Sequence, residues 1–476
     1  MNTKENKSSV SGGKHGETNR NSASGGKRDL GNGSVGRLLF SLAVPTVAAQ
    51  LVNMLYNVVD RMYIGHIQGT GVQALTGLGL CFPVIMMISA FSALIGMGGG
   101  PQAAIAMGQG KNDRADRILG NCTTALIGIS FILTVFFLIF GQKLLVLFGA
   151  SSETLPYAWS YMQIYVCGTI CVQIALGLNA FITTQGFTQI SMMTVVIGAV
   201  INIVLDPVFI FGLHMGVRGA ALATVLSQAV SAVWVLRFLT GKKSILHIRK
   251  ENLRISSKVL GPVLALGVSP FVMQSTESLL NICFNSSLAK YGGDMAVGAM
   301  TILSSVMQIN SLITSGLGQA AQPLISFNYG ARKDDRVKQA IKLMAICCVT
   351  TATTFFLLVQ LFPAVFVRIF NNSSDELLQI TVWAMHIYFG GIFMMGFQNA
   401  FQTSFVALGQ AKISLFLACL RKLILLIPLI YILPCFFENK VFAVFLAEPV
   451  SDILAALTTI TMFIINFPRI LRKEDR

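Results

Sequence analysis

The sequence predicts an all-α membrane protein of twelve transmembrane helices arranged as two parallel six-helix repeats. Three observations predict it. Hydrophobic residues make up 54% of the 476 and charged ones only 12%, about half the charged share of an ordinary soluble domain. From residue 37 onward, apolar segments long enough to cross a hydrocarbon core of about 30 Å succeed one another with short polar breaks. The second half of the chain also repeats landmarks of the first at a nearly constant offset.

Residues 1–36 precede the apolar region and are rich in Gly, Ser, Asn and Lys, with Val10, Leu30 and Val35 the only large apolar residues after Met1. Such a segment cannot bury enough surface to fold, so a disordered cytoplasmic tail is expected. It is not a secretory signal, because the apolar stretch after it has full spanning length and no small-residue cleavage site. The spans then read 38–60, 72–98, 118–140, 157–183, 190–213 and 217–239, which make an N-terminal half over 37–240. A polar cytoplasmic linker over 241–258 leads to spans 259–288, 297–326, 340–366, 378–404, 413–436 and 441–467. These form a C-terminal half over 259–467, followed by a tail at 468–476.

The 35 Lys and Arg against 20 Asp and Glu, a net charge of +15, could suit nucleic acid, an anionic membrane surface or topology control. Their placement decides. With the N-terminus inside, 26 fall on the cytoplasmic side and six outside, namely Arg61, Lys143, Arg218, Lys290, Arg368 and Lys440. Cytoplasmic loops retain positive charge, so both termini are expected in the cytoplasm of a multi-pass cell-membrane protein. No basic helix or aromatic platform outside the spans offers a nucleic-acid surface. The nine cysteines lie nearly all in apolar runs without metal or redox spacing and read as small buried hydrophobes.

The repeat is clearest in Gly96, Pro101, Gly108, Lys111, Asp113 and Arg114, matched by Gly318, Pro323, Gly330, Lys333, Asp335 and Arg336, each offset by 222. Pro45, Val72 and Ala74 match Pro270, Val297 and Ala299 at 225; Leu222, Ala223 and Ser227 match Leu446, Ala447 and Ser451 at 224. Six helices return the chain to its starting side, so the halves point the same way. Parallel repeats of this kind belong to alternating-access transporters, with sites near the midplane between halves. There is no phosphate loop, no His-Glu-x-x-His and no Gly-x-Ser-x-Gly, so neither an enzyme nor direct ATP drive is expected, and an ion gradient remains.

Only Asp60, Asp206, Glu277, Glu448 and Asp452 among the acids fall in or at the edge of a span, where an ionisable group is a functional candidate by default. Asp206 stands out. Asn202 lies one turn back on the same face, and Pro207, lacking an N–H, frees the carbonyl of Ile203. Carboxylate, amide and carbonyl together could hold a proton network or a sodium ion, the only metal in question. Asp60 ends the first span beside Arg61, and a local ion pair is the competing reading. Glu277 is mid-span beside Gln274, Ser275 and Thr276 and is read as facing a cavity. Glu448 and Asp452, one turn apart, suit cation binding or a pair with Arg421 or Lys422. Asn179, Gln274, Glu277, His386 and Tyr388 are candidates for a substrate or second ion site, the last two with Trp383 for an aromatic cation. Packed aromatics are the commoner case.

These residues resemble a known family. Asn202-x-x-x-Asp206-Pro207 with Phe211-Gly212, then Gly216-Val217-x-Gly219-Ala220-Ala221, look like the multidrug and toxic compound extrusion (MATE) transporters. So do Pro45 with Asn57-x-x-Asp60-x-x-Tyr63-Ile64-Gly65 and the Gly-x-x-Lys-x-Asp-Arg loops at Gly108 and Gly330. The likeness covers about 37–467 and is nearest to the MepA-type bacterial branch. It implies a V-shaped, monomeric antiporter expelling small amphipathic, often cationic compounds in exchange for protons or sodium, with no cofactor beyond that ion. It also implies that Asp60 and Asp206 form the ion site, with Asn202 and a sixth-helix hydroxyl, Thr224. Glu277 resembles a seventh-helix glutamate of some members. The tenth-helix aspartate of those members is missing here, where His386 stands. A lipid-linked oligosaccharide flippase of the same superfamily is the rival reading, and it would need a cationic cavity.

Overall fold

The computed structural model describes residues 30–67, 69, 71–370 and 375–472. The tail over 1–29 and the last four residues lie outside the described residues. Among those described, the chain is helical throughout, with no strand.

Among the described residues, ten helices are long and apolar enough to span a bilayer, and a bent pair makes an eleventh. The helix Ser257–Gly330 supplies two, because it contains one break, at Gly293, where φ is 64°. Only glycine adopts that conformation without strain, so the predicted pair of spans meets there with no loop. The twelve are α1 (Val35–Gly65), α2 (Gly71–Gly108) and α3 (Asn112–Leu147). Then come α4 (Leu155–Cys167 with Thr169–Thr184, bent by 59°), α5 (Thr188–Gly212) and α6 (Val217–Leu239). The second half has α7 (257–292), α8 (294–330), α9 (Asp334–Leu361), α10 (Asp375–Ala407), α11 (Ala411–Cys435) and α12 (Lys440–Arg472).

The irregularities have local causes. The bend in α4 falls at Gly168, where a Cβ would come within 2.4 Å of the Val225 side chain of α6. The ninth span ends at Leu361, not at 366, because the residue before a proline avoids helical ψ. Phe362 sits at φ −129°, and a separate helix Pro363–Phe370 follows. Beyond Pro207, which cannot donate one turn back, α5 loosens into a π turn at Val208–Gly212. Two further π segments interrupt α4 at Ile174–Leu178 and α11 at Leu420–Leu426. The cysteine expectation holds only in part: Cys167 and Cys435 are exposed and three others are half-buried.

Lipid is as apolar as a leucine side chain, so helices in a membrane associate through small residues and close backbone contact. The halves meet in this way at the end carrying the repeated loops. Gly108 of α2 lies against the Phe327 carbonyl of α8, and Gly330 of α8 against the Ile105 carbonyl of α2; a Cβ would sit 2.0 Å and 2.1 Å from those oxygens. Gly330 is the repeat counterpart of Gly108, and Phe327 that of Ile105, so the duplication produces a pseudo-symmetric contact. Gly98 against Val263, and Gly267 against Leu94, add a second close approach of α2 to α7.

The first helix of each half also begins in the core of the other. Val35, Leu39 and Leu42 of α1 pack among Leu324, Ile341 and Met344, whereas Ile64 at its far end packs with Leu78 and Val84. Val263 of α7 packs with Leu119 and Leu246, but Leu280 with Val306 and Val359. The segments leading into these helices are tied down across the halves. Lys333 Nζ donates to the Gly31 carbonyl (2.6 Å), and Arg336 Nη1 to that of Gly33 (2.6 Å). Asn328 Nδ2 donates to the Leu30 carbonyl (3.0 Å). In the first half, Asp116 Oδ1 accepts from the His247 amide (2.9 Å) and Asn121 Oδ1 from that of Ser256 (2.7 Å). The segment read as a linker, 241–258, is thus packed on α3.

Candidate ion and substrate sites

Asp60 from α1, Asn202 and Asp206 from α5 and Thr224 from α6 come together, all buried, with Asp206 at 0% exposure and Asn202 at 1%. Asn202 Nδ2 donates to Asp206 Oδ1 and to Thr224 Oγ1, both at 3.4 Å, and the Thr224 hydroxyl donates to the Ala220 carbonyl at 3.0 Å. The Asp60 and Asp206 carboxyls are neighbours in this cluster. Arg61 forms no ion pair with Asp60; its guanidinium lies over the Phe82 ring, 5.7 Å from the centroid. Asp60 Oδ1, Asn202 Oδ1 and Asp206 Oδ2 are buried with no hydrogen-bond partner. Unpartnered buried oxygens are unusual and need an explanation. Two adjacent ionised carboxylates repel, by about 4 kcal/mol at a separation of about 4 Å and an effective dielectric constant of about 20. A proton or a small cation among these oxygens removes both problems, and an all-oxygen donor set fits either.

A central cavity of about 240 Å³ opens between the halves. Its polar lining comes from Gln50 and Asn53 of α1, Asn179 and Thr183 of α4, Ser191 of α5, Gln274 of α7 and Gln319 and Gln322 of α8, with no charged side chain. Gln50 Nε2 donates to Gln319 Oε1 across the halves at 3.2 Å. A narrower pocket continues into the first half past Tyr56, Thr194, Gly198, Ser227 and Ser231. Each of its walls then climbs by helical turns to the ion site. On α1 the steps are Asn53, Tyr56 and Asp60; on α5 they are Thr194, Gly198, Asn202 and Asp206; on α6 they are Ser231, Ser227 and Thr224. Gly198 keeps this path tight, since a Cβ there would meet Ser231 Oγ at 2.6 Å.

The second half holds a separate polar cavity of about 180 Å³, lined by Glu277, Tyr388, Arg421, Lys422 and Glu448 among others. Arg421 bridges Glu448 (2.9 Å) and Asp452 (2.8 Å), while Lys422 pairs with Glu277 and donates to the Met273 carbonyl at 2.6 Å. Of the two readings of Glu448 and Asp452, the structure bears out the ion pair. Three carboxylates face two cations, and only Glu277, 56% exposed, opens well into the cavity.

The structure therefore divides the second candidate set. Asn179 and Gln274 face the central cavity, and Glu277 and Tyr388 the second one. His386 faces neither: its Nδ1 is 2.7 Å from Gln360 Oε1 of α9, and Trp383 packs on Phe442 and Phe445. Sequence reasoning missed Gln50 and Asn53. The signal was there, because Gln50, Asn53, Asn57 and Asp60 form a polar stripe at helical spacing along an otherwise apolar span.

Comparison with known proteins bears on the family and the fold. A family model, MatE, matches the chain twice, at 45–208 and at 270–432; the second match starts at Pro270, the repeat counterpart of the Pro45 that starts the first. Multidrug export protein MepA of Staphylococcus haemolyticus (strain JCSC1435) is 24% identical over 432 residues, covering 89% of this chain and 92% of its own. The protein of that name from Staphylococcus aureus (strain MSSA476) is 22% identical, covering 88% and 92%. Among solved structures, the MATE multidrug transporter DinF-BH superimposes with a TM-score of 0.86 at 32% identity, over 95% of this chain and all of the other. A MATE structure in a bent conformation, 22% identical, shares the fold at a TM-score of 0.87 over 93% and 97%.

Proposed function

The chain belongs to the MATE family of membrane transporters, and from that premise we propose that it is a monomeric antiporter of the cell membrane. It would export small amphipathic, often cationic compounds in exchange for protons or sodium. The observation that carries the reading is the buried Asp60–Asp206 pair beside Asn202, each with one unpartnered oxygen, where polar faces of α1, α5 and α6 converge from the central cavity. A cation entering that site lets the carboxyls close on one another; its departure drives them apart. Either change moves α1 against α5, the helices whose lower faces line the cavity.

Coupling then follows from linkage. If a bound cation lowers affinity for the exported compound, the compound lowers affinity for the cation by the same factor. One charge moving inward gains about 2.3 kcal/mol per 100 mV, which supports a concentration ratio of roughly 50 for a neutral substrate. The uncharged cavity wall of Gln, Asn, Ser and Thr suits varied ligands that bring their own charge. Gly108 and Gly330 close the loop-bearing end, and the excess of Lys and Arg there supports a cytoplasmic location for it, so the cavity reads as closed to the inside. Both termini then lie in the cytoplasm, and no enzymatic step or cofactor is part of the proposal.

A lipid-linked oligosaccharide flippase would need free cations in the cavity for a pyrophosphate. Arg421 and Lys422 are each held by carboxylates, which favours the drug antiporter. The test is ethidium efflux from proteoliposomes with a pH gradient or a sodium gradient imposed separately. One gradient should drive efflux in the wild type and fail to do so in Asp206→Asn. Gradient-driven efflux that survives in the variant would refute the assignment.

A further inference from the structure

A groove of about 500 Å³ runs up the membrane-facing side of the second half, between α9, α10 and α12. Phe397 and Phe401 of α10 and Phe463 and Phe467 of α12 form most of its floor. Phe401 stacks on Phe463 and Phe463 on Phe467, with centroids 4.3 Å and 4.7 Å apart. The α9 wall runs from Lys338 to Thr350, a rise of about 18 Å at 1.5 Å per residue. That is slightly more than the depth of one leaflet, about 15 Å in a core about 30 Å thick. The polar mouth is made by Lys338 and Lys342, one turn apart on the same face. Lys342 is exposed and has no ion-pair partner among the described residues, and Lys338 has only Asp335, an exposed contact at 3.6 Å. Such surface pairs contribute little, and no acid lines the groove.

We propose that this groove is a binding site for one anionic phospholipid. An acyl chain lies along the four phenylalanine rings, and the phosphate sits between the ammonium groups of Lys338 and Lys342. The apolar length matches a leaflet, and the paired positive charge stands where a headgroup would be, which a neutral phospholipid matches less well. Basic pockets between helices at the cytoplasmic surface bind anionic headgroups on this same logic. The site is remote from Asp60 and Asp206, so it stands or falls independently of the transport proposal.

The test is native mass spectrometry of the delipidated full-length protein titrated with phosphatidylglycerol or phosphatidylcholine. Phosphatidylglycerol should bind more tightly. A lysine near an anionic surface is worth about fivefold in affinity, so Lys338→Gln with Lys342→Gln should weaken the tightest phosphatidylglycerol site about 30-fold. The same charge change at Lys242 and Lys243, exposed on the same side, should leave it unaltered. Ala345→Trp, which fills the groove without touching charge, should abolish that site. Equal binding of the two lipids, equal loss in both lysine pairs, or undiminished binding in Ala345→Trp would each overturn the proposal.

Discussion

Arg421 gives the sharpest stability prediction. Its guanidinium is the only group forming ion pairs with Glu448 and Asp452 among the described residues, carboxyls 4% and 1% exposed that stand one helical turn apart. Arg421→Met keeps the apolar stem and removes the charge, leaving two buried carboxylates without a cation. Breaking a buried pair from one side costs about 3–5 kcal/mol, whereas replacing the whole network with apolar groups of similar volume is often neutral. The single variant should therefore unfold well below the wild type in detergent. A triple variant, Arg421→Met with Glu448→Met and Asp452→Leu, should recover most of the loss. Apparent Tm followed side by side for the three proteins reads this order. A single variant as stable as the wild type would refute the charge argument, and so would a triple variant no better than the single one.

Gly108→Val should force α2 and α8 apart, because a Cβ has 2.0 Å to a backbone oxygen. Overpacking of this kind costs about 1–3 kcal/mol, and cysteine labelling of the cavity from the loop-bearing side should rise if the halves part there. Arg336→Ala should release the segment before α1, since it deletes bonds to the carbonyls of Leu30 and Gly33 and to Asn328. Hydrogen exchange at residues 30–36 should quicken by at least tenfold while the rest of α1 stays protected. Pro207→Ala should let α5 regain a backbone bond and straighten the π turn at Val208–Gly212; efflux should fall while apparent Tm holds or rises.

The parts of this fold legible in the sequence were those with a strong one-dimensional signal. Twelve apolar runs and an internal repeat sufficed for the architecture, because bilayer thickness dictates span length and duplication dictates relative direction. Asp206 stood out because a carboxyl between apolar neighbours has few structural uses. Its partnership with Asp60 rested on resemblance alone, since no pattern in either span says which helices become neighbours. The crossing of α1 and α7 into opposite cores was equally invisible, for both ends of each helix are apolar and the sequence does not label the core they enter. Arg421 and Lys422 are adjacent, yet a π segment begins at Leu420 and the two side chains serve different acids. His386 lies outside both cavities described above, which its sequence does not reveal, because an exposed face and a cavity face of one helix look alike until the neighbours are in place.

The central claim is that Asp60 and Asp206 hold the cation whose binding opposes that of the exported compound. Equilibrium binding of ethidium to purified protein, measured across a range of proton or sodium concentration, tests it without any gradient. Affinity in the wild type should fall as the coupling cation rises, and it should be flat in Asp60→Asn with Asp206→Asn. A double variant that keeps the wild-type dependence would contradict the account.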